Sequence, residues 1–128
     1  MDLIQTFKVE ACVPSERILL SGNLVRESEV FLDHFPRFPV LPGVMMIEMM
    51  RFAVKCYLER TGKIASEFKI DQVEQVKFSQ LLKPGDVWEM EMQMIQEAPY
   101  ALAWKGRLSS QGKTVASGKI SGQLVLAA

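Results

Sequence analysis

Val44-Met45-Met46-Ile47-Glu48-Met49-Met50-Arg51-Phe52-Ala53-Val54-Lys55-Cys56-Tyr57-Leu58-Glu59-Arg60 holds twelve apolar residues in seventeen, with neither glycine nor proline. That density predicts a long helix buried over most of its circumference. Pro42-Gly43 stands immediately before it, and Thr61-Gly62 after it offers a glycine able to close the helix in the left-handed conformation. Downstream the period changes to two. Trp88, Met90, Met92 and Met94 alternate with Glu89, Glu91 and Gln93, and Leu102, Trp104, Gly106 and Leu108 alternate with Ala103, Lys105 and Arg107. Further strands are expected over Arg17 to Val25, Glu29 to Leu32, Ile70 to Phe78 and Thr114 to Leu126. Turns are expected at Lys83–Asp86, Gln96–Pro99 and Ser110–Lys113. One apolar helix among antiparallel strands gives an α+β class, a sheet wrapped around one long central helix, within a single domain over residues 1–128. Such a sheet leaves open edges, and edge pairing across a two-fold axis makes a homodimer the expected state.

Bulk properties exclude several functions. Lys and Arg number 15 against 15 Asp and Glu, so net charge does not drive nucleic-acid binding. The start Met1-Asp2-Leu3-Ile4-Gln5 has no leader pattern and no stretch reaches eighteen uninterrupted apolar residues, so the expectation is a soluble cytoplasmic protein away from the membrane. Cys12 and Cys56 lie too far apart for a CxxC motif and are expected to be inert buried thiols. Trp88 and Trp104, at alternating positions, are expected in the core, as are most of the eight methionines.

Chemistry concentrates around the start of the helix. His34 is the one histidine, so any mechanism needing imidazole uses it, and a site built from several histidines is excluded. It opens the run His34-Phe35-Pro36-Arg37-Phe38-Pro39-Val40-Leu41-Pro42-Gly43-Val44, which three prolines stiffen against helix. An imidazole with a pKa of about 6.5 is mostly neutral at pH 7 and can accept a proton from carbon. Glu48, fourteen positions on, has two readings. Glu48, Arg51, Lys55 and Glu59 fall within about 80° of an ideal wheel, a stripe that could be the wet side of the helix, with Glu48 paired to Arg51. Alternatively the stripe faces a cleft and Glu48 donates a proton; raising its carboxyl from about 4.3 to about 7 costs about 3.7 kcal/mol. Gly43 either eases the turn into the helix or, with Val44, offers unpaired backbone N–H groups to a carbonyl oxygen. Base, acid and oxyanion site together suggest proton abstraction beside a carbonyl.

The string His34-Phe35-Pro36-x-x-Pro39-x-x-Pro42-Gly43-Val44 followed by Glu48 resembles the 3-hydroxyacyl-[acyl-carrier-protein] dehydratases of the FabZ type, in the hotdog-fold superfamily. The resemblance continues through Ile70-Asp71, Val76-Lys77-Phe78 and Pro84-Gly85-Asp86. It implies a hotdog fold and the conversion of a 3-hydroxyacyl thioester to a trans-2-enoyl thioester with no cofactor and no metal. His34 would take the C2 proton and Glu48 would assist departure of the hydroxyl. The histidine and glutamate would come from different subunits of a homodimer or a trimer of dimers. Gly43, Val44, Phe35 and Phe52 would bind substrate carried on the phosphopantetheine of an acyl carrier protein, with Arg37, Arg51, Lys77 and Lys83 as candidate contacts to it. Departures mark a divergent member: Asp33 and Arg37 replace glycines, Leu81 a proline, and Phe52 a glutamine. Two alternatives stay open, a thioesterase in which Glu48 activates water, and a catalytically silent acyl-binding subunit.

Overall fold

The helix, α1, runs Val44–Arg60, with the bounds its composition predicts. A computed structural model describes residues 7–23, 44–63, 66–80, 82–83 and 85–126, and only the backbone of Val44. α1 ends as its glycine requires: Gly62 adopts φ 82°, Lys63 N–H donates to the Leu58 carbonyl at 2.8 Å and Gly62 N–H to that of Glu59 at 3.3 Å. These two bonds satisfy carbonyls the helix end leaves orphaned.

Among the described residues six strands follow the period-two pattern: β1 Phe7–Val13, β2 Arg17–Asn23, β3 Ser66–Phe78, β4 Val87–Ala98, β5 Ala101–Ser110 and β6 Lys113–Leu126. They form one antiparallel sheet in the order β1-β2-β4-β5-β6-β3. With α1 packed on one face, this is the α+β hotdog arrangement. The alternation sends Trp88, Met90, Met92, Trp104 and Leu108 into the core, while Glu89, Gln93, Lys105 and Arg107 stay exposed on the other face.

α1 lies close against this sheet because glycines line its seat. Gly106 of β5 stands opposite Gly118 of β6. A Cβ on Gly106 would meet the Met50 methyl and the Met92 sulfur, and one on Gly118 would lie 3.4 Å from the Met46 methyl. Gly122 has a different role. A Cβ there would run into the Lys69 carbonyl and the Ile70 backbone, where β3 bulges at Asp71. Tyr57 closes the far end of the core, its ring edge-on to Trp104 with centroids 4.9 Å apart and its hydroxyl accepting the Ser15 N–H at 2.8 Å.

The strands depart from sequence expectation in three places. β1 is an additional strand, pairing with β2 at one edge of the sheet. β3 begins at Ser66, ahead of Ile70. The turn expected at Gln96–Pro99 sits later, at Pro99-Tyr100, because Gln96 and Glu97 still pair with Ala103 and Leu102. This hairpin overhangs the core: Ile95 is 49% exposed, so polar residues serve there as strand. The Ser110–Lys113 turn is a two-residue hairpin with positive φ at Gln111 and Gly112. The expected strand Glu29–Leu32 lies outside the described residues, as do the last two positions of Arg17–Val25.

Both indoles are core, as expected, though among the described residues neither indole N–H has an acceptor. Both thiols are free; Cys56 is buried and Cys12 only half-buried. Burial pushes the Cys56 thiol up to about 11, with Glu59 adding to the effect and Arg60 and Lys55 opposing it. Among the described residues no helix is long and apolar enough to cross a membrane.

Two outcomes test this packing. Gly122→Ala should lower the unfolding free energy by about 1–3 kcal/mol in chemical denaturation, whereas Gly112→Asn at the hairpin should change it by less than half as much, since Asn tolerates that conformation. The Cys56 thiol holds its proton more tightly folded than unfolded. Its contribution to stability is therefore fully present below about 9 and is lost as pH rises through about 11. The denaturation midpoint should fall across that window more steeply in the wild type than in Cys56→Ala.

Candidate active site

Met46 and Met50 face the sheet, which turns Glu48, Arg51, Lys55 and Glu59 outward on the opposite side of α1. Glu48 sits one turn inside the helix. Its Oε1 lies 3.6 Å from Arg51 Nη1, with side chains 42% and 51% exposed. Within the described residues this is the wet ion pair that the wheel allowed, a contact that contributes at most about 0.5 kcal/mol. The burial a proton-donating carboxyl calls for is not supplied by these residues.

On one side of the stripe α1 and the first half of β3 enclose a groove of about 490 Å³, lined by Arg51, Lys55 and Leu58 from the helix and by Ser66 to Ile70 from the strand. Leu58 and Phe68, exposed by only 3% and 6%, form an apolar floor. Arg51 and Lys55 stand exposed on its helix side, while Glu67 and Lys69 of β3 alternate with the buried Phe68. An apolar floor beside the cations Arg51 and Lys55 suits an amphiphile with a negatively charged end. Arg51 is a residue the sequence reading selects; Lys55 and Lys69 are not, because nothing local in the chain signals that β3 comes alongside this part of the helix. Lys77 and Lys83 are exposed elsewhere and line none of this groove.

On the other side of the stripe stands Phe52. Its half-buried ring meets Phe7 of β1 edge-on, centroids 4.8 Å apart and planes at 88°. Past this contact, Phe7, Val9, Cys56, Glu59 and Arg60 line a smaller pocket of about 230 Å³. Phe7 is missed by sequence reading along with its strand. The alternation Phe7, Val9, Ala11, Val13 is a signal that could have found it, although a bulge at Glu10 puts Cys12, in place of Ala11, in register with buried Ile18.

Of the predicted site residues, the structure therefore places Glu48 and Phe52 one turn apart on the same flank of α1, and Val44 as its first residue. His34, Phe35, Gly43, Asp33, Arg37 and Leu81 lie outside the described residues, as does the side chain of Val44. Among the described residues no group of three His, Cys, Asp or Glu side chains could hold a metal ion. Of the four helix methionines, Met46, Met49 and Met50 are core and Met45 is half-buried.

Residues 10–119 match the ApeI-like family, ApeI dehydratase. The 3-hydroxyacyl-[acyl-carrier-protein] dehydratase FabZ of Enterococcus faecalis is 34% identical over 117 residues, covering 88% of this chain and 81% of the relative. That of Shewanella woodyi is 30% identical over 110 residues, 84% of this chain and 72% of the relative. Among solved structures, the dehydratase heterocomplex ApeI:P from Xenorhabdus doucetiae superposes with a TM-score of 0.75 at 16% identity, over 92% of this chain and 80% of that one. A hypothetical thioesterase with coenzyme A from Streptococcus pneumoniae TIGR4 superposes with a TM-score of 0.73 at 9% identity, over 96% of this chain and 91% of that one. The structural likenesses carry the fold; the sequence matches carry the family. The chain belongs to the ApeI-like dehydratases, as a divergent FabZ-type member of the hotdog 3-hydroxyacyl thioester dehydratases.

Proposed function

We propose that this chain removes water from a 3-hydroxyacyl thioester borne on the phosphopantetheine arm of an acyl carrier protein, in the cytoplasm, for synthesis of a fatty acid or a related lipid or polyketide. The products are a trans-2-enoyl thioester and water. His34 Nε2 or Nδ1 takes a proton from C2, and the resulting enolate oxygen is held by the backbone N–H of Gly43 at the start of α1, where the helix end favours negative charge. The C3–O bond then breaks and Glu48 delivers the proton that converts the departing hydroxyl to water. Val44, Phe35 and Phe52 line the acyl chain. The observation that carries the reading is the position of Glu48, one turn inside the helix and beside a groove with an apolar floor and a cationic rim.

The exposure of Glu48 gives a second chain a role in this reading. Among the described residues β3, of thirteen residues, is an edge strand, and Val73 and Phe78 on it are 44% and 57% exposed. A copy paired along β3 would cover those residues, and the family resemblance implies that this copy supplies the histidine that acts with Glu48 of the first chain. The desolvation that one chain does not supply to Glu48 is then supplied by its partner.

The test is hydration of a trans-2-enoyl thioester, the same reaction reversed, on carrier-protein and coenzyme A forms. Folded His34→Ala and Glu48→Gln variants should each lose about a hundredfold or more in kcat. A Glu48→Gln enzyme at the wild-type rate would remove Glu48 from the mechanism. Release of free thiol in place of a change in unsaturation would make the protein a thioesterase, and absence of turnover on every thioester would make it a silent binding subunit.

A further inference from the structure

We infer that the contact between Phe52 and Phe7 sets the acyl-chain length that the site accepts, by closing the passage from Glu48 to the 230 Å³ pocket beyond it. The inference rests on the placement of the reacting carbons at Glu48 proposed above. Phe52 follows Glu48 by four residues, about 6 Å along the helix and about 40° around it. An acyl tail leaving the reacting carbons along this flank therefore meets Phe52 within the length of a few methylenes. β1 runs alongside: Phe7 stands at Phe52, and Val9, next on the same face of β1, lines the pocket with Cys56, one turn past Phe52. The ring pair thus stands between the carboxylate and the pocket.

The pair has the character of a partition. Phe7 is 40% exposed, and across β2 it stands opposite Gly22, which offers no side chain for the ring to lean on. Phe52 is half-buried at the margin of the core. Removing the Phe7 ring therefore opens the passage without hollowing the interior. The space behind it has an apolar side, Val9 and Cys56, for a longer alkyl tail, and ends at the solvated charges of Glu59 and Arg60.

Two readouts test this, one of them independent of turnover. With four-carbon and twelve-carbon trans-2-enoyl thioesters, the ratio of kcat/KM for the long to the short substrate should rise by about tenfold or more in Phe7→Ala relative to wild type. Phe52→Leu should move it in the same direction. In a Cys12→Ala background, N-ethylmaleimide should label the buried, protonated Cys56 thiol only slowly, and a twelve-carbon alkyl thioether of coenzyme A should slow that labelling further in Phe7→Ala and leave it unchanged with Phe7 in place. An unchanged ratio in both ring variants overturns the inference, as does equal protection of Cys56 with and without the Phe7 ring. If no enoyl thioester is turned over by any variant, the dehydratase reading falls, and the labelling experiment alone decides whether the passage exists.

Discussion

Everything that faces outward on α1 is placed by how its inward side is seated. The Met50 methyl fills the space where a side chain on Gly106 would be, and Met46 reaches Gly118 at van der Waals distance beside Val76. Both contacts turn the same side of the helix to the sheet. With Met46 and Met50 turned to the glycines, a 3.6-residue helix must present Glu48 on the far side. A side chain at Gly106 would first have to displace the flexible ends of Met50 and Met92. Met suits this seat because its unbranched, three-bond side chain fits an irregular gap that a β-branched residue would not.

The sheet then divides the surroundings of α1 into two flanks of different chemistry. β3, last in strand order, brings the apolar Phe68 to the side of Arg51 and Lys55. β1, at the opposite edge, brings Phe7 and Val9 to the side of Phe52 and Cys56. The cationic flank suits the charged end of a carrier-borne thioester and the aromatic flank its hydrocarbon end, with Glu48 between them. The polarity follows from topology: β1 and β3 are far apart in the sheet yet both reach the helix, because the strands between them curve around it.

The elements whose signals are local are legible in the chain. α1 is readable to the residue because an apolar run bounded by Pro42-Gly43 and Thr61-Gly62 is punctuated by covalent constraints on φ. β4, β5 and β6 are readable because their inner faces are buried along most of their length. The Gln96–Glu97 segment misleads because the hairpin overhangs the core, where the sheet no longer demands alternation. The aromatic partition is illegible for another reason: Phe7 and Phe52 are separated by 45 positions, and only the folded sheet brings them together. The setting of Glu48 is half legible. Its wheel angle is readable and correct, but what covers it depends on surfaces that no single helix encodes.

A site shared between two subunits would take His34 from one chain and Glu48 from the other. It is tested most directly by mixing two inactive variants, His34→Ala and Glu48→Gln, under conditions where subunits exchange. In a mixed two-fold dimer one of the two sites regains both native groups and the other loses both. Recovery of up to about a quarter of the wild-type rate is expected at equal proportions, since random assortment makes half of the dimers mixed. Subunit exchange confirmed by mass with no recovery of activity would place both groups in one chain and rule out the shared site.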